Sequence, residues 1–151
     1  MKTRHLLTSA LALIVMTACS DSTGVETADL EGTWEAQSMV VSSVADPTMT
    51  IDLIALGSAV SVMFAADGTY IVTFTGEGEN GNDVGTYSVS GNTLTLVETF
   101  EGQVQEPEEI GIVLNGNNLT LTISETWYFG ESEVEEAAVL VVGLTRQVSA
   151  S

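Results

Sequence analysis

Apolar and polar residues alternate along most of the chain between Leu30 and Arg146. The stretches TYIVTFT, NTLTLVE and NLTLTIS show the alternation clearly, with Thr on one side and Tyr, Val, Phe, Leu or Ile on the other. A period of two, rich in Thr and Val, is typical of half-buried β-strands. The pattern predicts strands at 31–42, 49–55, 59–66, 69–77, 83–90, 93–100, 108–115, 118–129 and 137–146, with a short helix as the alternative for 49–55.

Pairs of glycine with Asn or Asp separate several of these runs. They are Asp67-Gly68, Asn80-Gly81, Gly91-Asn92 and Asn115-Gly116, and such pairs supply the positive φ that tight hairpins need. No stretch of ten or more residues has a clear helical period, and FEGQVQEPEE, which contains Pro107, is expected to be a loop or an irregular edge. Successive hairpins without crossovers predict an all-β, up-and-down antiparallel meander. Closure into a barrel of about eight strands would remove both exposed edges.

The first residues have the layout of an export signal. Lys2 and Arg4 precede an apolar run over 6–16, and small residues then lead to Cys19, the only cysteine in the chain. This run is too short for a stable membrane span. The ending MTAC resembles the lipobox of bacterial lipoproteins, in which the signal is cut before the cysteine and the cysteine then carries acyl chains such as palmitate. The resemblance implies a signal peptide at 1–18, lipidation at Cys19 and attachment to a membrane. The alternative is an ordinary signal peptide with an incidental cysteine.

Localisation and domain limits follow from the same region. In that lipoprotein family, Ser20 after the cysteine favours the outer membrane, on its periplasmic or surface face, over the inner membrane. Residues 20–29, SDSTGVETAD, are small, polar and acidic, so 19–29 is predicted to be a lipidated cysteine followed by a flexible tether. The barrel domain is predicted to cover 30–148, with a polar tail at 149–151.

The distribution of charge excludes several classes of function. The chain has 3 Lys+Arg against 21 Asp+Glu, and the bases other than Arg146 lie in the signal, together with the single histidine, His5. Nucleic acid would be repelled, because binding it requires clustered Lys and Arg side chains. His/Cys zinc sites lack their ligands, and Ser-His or Cys-His catalysis lacks its base. No cofactor is implied. The acidic surface favours solubility, or attraction to cations and basic partners.

Two acidic clusters are candidate calcium sites. GEGENGND at 76–83 and ESEVEE at 131–136 offer the oxygen ligands that calcium favours, but neither has EF-hand spacing, so no metal site is predicted. Glycoside hydrolysis by paired carboxylates is the acid–base chemistry that the composition still permits. It requires a carboxyl in an apolar cleft, whereas Glu108 and Glu109 are expected in an exposed polar stretch. The protein is therefore predicted to be non-enzymatic.

The two ends of the domain carry a family resemblance. It opens with LEGTWEAQSMVV, which includes Gly32-Thr33-Trp34, and it closes with VLVVGLTRQ. With the repeated G-T-Y and G-N-x-L-T-L segments, it resembles the lipocalin-like domains of small bacterial lipoproteins. The resemblance implies a barrel that binds a small hydrophobic ligand. It also implies that Arg146, on the last strand, packs over Trp34 at the closed end, as a structural pair. The alternative is that Arg146 binds an anion.

The interior of the predicted barrel leaves two outcomes open. It can be a cup that holds a small apolar ligand, or it can be filled by its own side chains, as in a structural or interaction module whose acidic surface meets cations or a basic protein. In a filled barrel the tyrosines would be core aromatics with local hydrogen-bond partners. The possible cavity-lining residues are Phe64, Tyr70, Phe74, Tyr87, Leu96 and Leu121.

Overall fold

The structure, a computed structural model, describes residues 24–76, 79–129 and 134–148. The signal peptide, Cys19 and the polar tail predicted from the sequence lie outside these residues. The described elements are α1 (Thr27–Leu30), β1 (Gly32–Ser43), β2 (Thr50–Asp52), β3 (Ala59–Phe64), β4 (Thr69–Gly76), β5 (Glu79–Ser90), β6 (Thr93–Phe100), β7 (Gln103–Val104), β8 (Glu108–Asn115), β9 (Asn118–Trp127) and β10 (Glu136–Arg146). Among them no helix has the length and apolar character needed to cross a membrane.

Eight of the strands form a closed antiparallel barrel. Neighbours follow the order β10-β9-β8-β6-β5-β4-β3-β1, and β10 pairs with β1 to complete the ring. The two short strands lie beside it, β2 on the second half of β1 and β7 on the end of β6. Closure pairs the long edges of β1 and β10 with each other, so neither edge presents a row of unpaired backbone N–H and C=O groups. The predicted up-and-down barrel is thereby confirmed.

Three details differ from the strand prediction. Within 49–55 only Thr50–Asp52 is a strand, and a short strand, β7, occurs in the segment expected to be irregular. The pair Asn80-Gly81 lies inside β5, because Gly76 pairs with Glu79 and the chain has already reversed direction. A Cβ on Gly81 would lie 2.5 Å from Cζ of Phe74. The glycine thus provides space for an aromatic ring, and a tight turn is not its role.

The end of the predicted tether packs against the barrel. The Val25 amide donates to the Gly91 carbonyl at 3.0 Å, and α1 follows directly, with the Leu30 side chain fully buried. Residues 24–29 therefore belong to the folded domain, which corrects the prediction of a flexible tether extending to 29. The physical reason is that Leu30 needs an apolar site, and α1 brings it to the end of the barrel where Trp34 lies.

The core is concentrated at this end of the barrel. Its fully buried residues include Leu30, Trp34, Leu94, Leu119 and Leu144. They come from the start of β1, the start of β6, the start of β9 and the end of β10, together with α1. Alternate strands run in opposite directions, so these positions share one end. The barrel is filled at this end. Toward the other end the inward-facing residues of β4, β5 and β6 are only partly buried, whereas Val41 and Ala138 on β1 and β10 remain buried.

Candidate functional site

The closed end is organised around Trp34 and Arg146. The two residues are cross-strand partners in the β1–β10 ladder, and the guanidinium carbon of Arg146 lies 4.3 Å from the centroid of the Trp34 ring. Trp34 is fully buried, and its Nε1 donates to the Leu30 carbonyl at 2.7 Å. The contact implied by the lipocalin-like resemblance is present, with the guanidinium over the indole ring at cation–π distance.

Arg146 also holds the chain that precedes the barrel. Its guanidinium nitrogens donate to the backbone carbonyls of Glu31 and Asp29. Those carbonyls lie where α1 ends and would otherwise need other donors. A guanidinium stacked on an indole and bonded to two carbonyls is engaged by the protein itself. These contacts give Arg146 a structural role at the closed end, and they argue against a role in binding an anion.

The open half of the barrel contains a cavity of about 670 Å³. Its wall is largely apolar and is contributed by most of the barrel strands, with Val60, Val72, Phe74, Leu96 and Ile123 among the lining residues. These side chains are only partly buried, although the strand alternation turns them inward. The volume lies within the range of about 300–1,000 Å³ that is typical of ligand pockets. The alternative of a barrel filled by its own side chains does not fit a cavity of this size.

Comparison with known proteins agrees with this geometry. The sequence profile of the lipocalin-like domain matches residues 30–121, which is more than half of the chain. The chain belongs to the lipocalin-like domain family. No curated protein and no solved structure matches it. Proteins of this family are generally binding proteins and not enzymes. The match ends before β10, so the role of Arg146 in this lipocalin-like domain rests on its geometry.

Five of the six residues predicted to line a cavity do so, and Tyr87 does not. Tyr87 packs its ring against Phe64, with centroids 4.8 Å apart, and its hydroxyl donates to the Ala65 carbonyl at 3.0 Å. It is a core aromatic near the closed end, because the tight packing there leaves no free space beside the ring. The five lining residues are Phe64, Tyr70, Phe74, Leu96 and Leu121.

Sequence reasoning missed the carboxylates of the cavity. Glu106, which precedes β8, lines it, and so do Asp83, Glu98, Glu108 and Glu125, one on each of four strands. Each of these four is in phase with the apolar, inward-facing residues of its own strand, and that phase was the signal available in the sequence. Glu108 is exposed, as expected, but it begins β8 and its side chain also lines the cavity.

Burial and mutual repulsion change the titration of this group of residues. Desolvation raises the pKa of Glu108, and the nearby charges of Glu125 and Glu98 raise it further. Desolvation and the charges of Glu98, Asp83 and Glu108 raise the pKa of Tyr70 to about 12. The Tyr70 hydroxyl therefore stays protonated at neutral pH, and Glu108 holds its proton to a higher pH than an ordinary carboxyl does.

The acidic clusters of the sequence do not assemble a metal centre in the part of the chain that the structure describes. No three carboxylates among residues 24–76, 79–129 and 134–148 converge as ligands would around one ion. Calcium takes six to eight oxygen ligands, roughly, and the lumen carboxylates come from separate strands. The site is an apolar cup with dispersed negative charges, and this arrangement suits an organic molecule better than a bare metal ion.

Proposed function

We propose that this lipocalin-like protein is held in the cell envelope by a lipid on Cys19 and binds a small, mainly apolar molecule inside its barrel, without catalysing a reaction. The observation that carries the binding role is the cavity of about 670 Å³ with its largely apolar wall. Removing water from a cavity lined by apolar side chains costs little free energy. An apolar ligand that enters it is therefore stabilised by the burial of its own apolar surface.

The anchoring part of the proposal rests on the N-terminal sequence. The basic start, the apolar run and the MTAC ending before the lone cysteine support cleavage before Cys19 and acylation there. Expression of the full chain and of Cys19→Ala in a bacterial host tests it. The parent should sediment with membranes and carry acyl mass at residue 19. Equal distribution of both proteins between membrane and soluble fractions would contradict the anchor.

The non-enzymatic part rests on the family and on the composition. Residues 20–151 contain no histidine, lysine or cysteine, so the side chains that most often act as base or nucleophile are missing from the exported domain. Glu108, a carboxyl whose pKa is raised by desolvation and by the charges of Glu125 and Glu98, lines the cavity. It lies among other carboxylates that repel its charge, and this arrangement supports a role in binding the ligand and not in catalysis.

Native mass spectrometry of the protein purified from its own membranes tests the binding role. We expect added mass from a retained ligand on the parent protein. Val72→Trp places a bulky ring in the cavity and should weaken ligand binding. A loss of about 1.4 kcal/mol in binding free energy raises the Kd about tenfold, and the fraction of protein that retains ligand should fall accordingly. Val113→Trp is the matched control, because Val113 faces solvent on β8.

The two variants separate a cavity ligand from a surface one. Retained mass that falls equally in both variants would place the ligand outside the barrel. Absence of retained mass, together with no binding of apolar probes by the parent protein, would remove the proposed binding role. Circular dichroism of each variant establishes that the β-barrel is intact before binding is compared.

A further inference from the structure

Four of the carboxylates that line the cavity come from four neighbouring strands, and Glu106, between β7 and β8, is a fifth. Strands β5, β6, β8 and β9 follow one another around the barrel, and each places one carboxylate on the inner wall: Asp83, Glu98, Glu108 and Glu125, respectively. Acidic residues on a barrel exterior are solvated and need no partner. These four instead lie on the inner wall, in phase with the buried core of their strands; Asp83 and Glu98 are partly buried, whereas Glu108 and Glu125 are exposed near the ends of β8 and β9. Like charges held together around one cavity repel one another unless a counter-charge is present.

Among the residues that the structure describes, none supplies that counter-charge. Residues 6–145 contain no Lys, Arg or His, and Arg146 is stacked on Trp34 and bonded to two carbonyls at the closed end. The carboxylates repel one another, as the effect of Glu125 and Glu98 on Glu108 shows. A positive group brought from outside would remove this repulsion and gain the attraction of several charges in a partly desolvated site.

The aromatic residues of the cavity favour the same kind of group. Tyr70, Phe74 and Trp127 line it together with the carboxylates. The face of an aromatic ring attracts a cation, and combinations of rings with carboxylates recognise alkylated ammonium groups. A compact metal ion would need several oxygen atoms at one point, and the described residues do not provide that convergence. A bulky ammonium head makes no such demand, because its charge is spread over its methyl groups.

We propose that the cavity takes a cationic amphiphile, with its apolar body against the barrel wall and an alkylated ammonium head among Asp83, Glu98, Glu108 and Glu125. This inference rests on the proposed function, since it names the chemical class of the ligand for the same cavity. The head sits toward the open half, where the carboxylates lie, and the apolar body extends toward Leu121 and Phe64. Charge complementarity selects the cation, while the apolar wall supplies the affinity common to all ligands of this shape.

Isothermal titration calorimetry with three probes that share a decyl chain tests the proposal. The probes are decyltrimethylammonium, decanol and decyl sulfate, used below their aggregation concentrations at one fixed salt concentration. We expect decyltrimethylammonium to bind at least about tenfold more tightly than decanol, and decyl sulfate to bind more weakly than both. The double variant Glu98→Gln/Glu108→Gln should lose most of the preference for the cation and keep its affinity for decanol.

A matched variant removes the same number of charges from the exterior. Glu35→Gln/Glu109→Gln changes two exposed residues that do not line the cavity. It should keep the preference for decyltrimethylammonium, and an equal loss in both double variants would show that the net charge of the protein attracts the probe. That result would overturn the proposal.

The remaining outcomes separate this inference from the proposed function. If decanol binds and decyltrimethylammonium binds no more tightly, the cationic class is wrong and the apolar cavity remains a binding site. The same conclusion follows if decyl sulfate binds as well as the cation. If no probe binds the parent protein, both the inference and the binding role are wrong.

Discussion

Arg146 illustrates how one residue can hold three parts of a fold. It stacks on Trp34 from the first barrel strand, it belongs to the last strand, and it bonds the carbonyls of Asp29 and Glu31 that precede the barrel. The stack contributes about 0.5–2 kcal/mol, and hydrogen bonds from a charged donor contribute about 1.5–3 kcal/mol each. These contributions explain why an otherwise base-free domain contains an arginine at this point.

At the residue scale, Arg146→Lys should lower the stability of the barrel. Lysine retains the charge but has no planar head to cover the indole, and it cannot reach both carbonyls in the same geometry. We expect a loss of about 1–3 kcal/mol in the free energy of unfolding, measured by urea denaturation. Gln147→Ala is the control, since the Gln147 side chain is exposed and its backbone bond to Thr33 is kept. A melting temperature unchanged by Arg146→Lys would contradict the structural role.

At the scale of elements, α1 acts as part of the closed end. Its last residue, Leu30, is fully buried, and the backbone around it accepts bonds from Trp34 and Arg146. A four-residue helix has no stability of its own in water. It is therefore held by the barrel, and it completes the core of the barrel in return.

Truncation tests the contribution of this element. A domain that begins at residue 24 should be as stable as a longer one, whereas a domain that begins at Gly32 should lose at least about 3 kcal/mol, because the loss of a buried leucine alone costs about 2–5 kcal/mol. Urea unfolding of the two truncated domains gives the comparison. If both unfold at the same urea concentration, α1 is an accessory segment and the core is complete without it.

At the scale of the whole molecule, the barrel is polarised. One end is packed and holds the arginine; the other end contains the apolar cavity and its carboxylates. The same strands build both ends, so polarity depends on which side chains each strand places at each level. Side-chain packing at the closed end stabilises the folded barrel. The open end, with its cavity and carboxylates, contributes less to that stability.

The raised pKa of Glu108 makes stability depend on pH. Because its pKa is higher in the folded state than the ordinary value of 4.5, folding favours the protonated form. Its contribution is fully present below that value and is lost as pH rises through the raised pKa. Urea unfolding between about pH 4 and pH 8 should show stability falling with pH, and Glu108→Gln should reduce this fall.

Other titratable groups lie around Glu108, so the experiment needs a control variant on the same strand. Glu98 on β6 and Glu125 on β9 also contribute to the repulsion, and Tyr70 on β4 stays neutral. Glu109→Gln, on the outer face of the same strand, should leave the slope as in the parent protein. Equal slopes for the parent and Glu108→Gln would contradict a desolvated Glu108.

The sequence by itself determined most of the strands and their order, and the contact between Trp34 and Arg146 was expected from the lipocalin-like resemblance. Period-two alternation fixes which residues share a face, and short hairpins leave an up-and-down closure as the simplest topology. It was less reliable at Gly81, where the glycine makes space for a neighbouring ring, and it did not show that acidic residues near strand ends, such as Glu98 and Glu108, line a cavity.

Only the tertiary structure decided that one half of the barrel is packed and the other is hollow. Alternation shows which way a side chain points, but the space in front of it depends on side chains from strands that are distant in sequence. The phase of Glu98, Glu108 and Glu125 was readable in each strand, yet their convergence on a single cavity required the order and register of the closed sheet. The local pattern therefore determined the wall, and long-range packing determined the cavity and its charge.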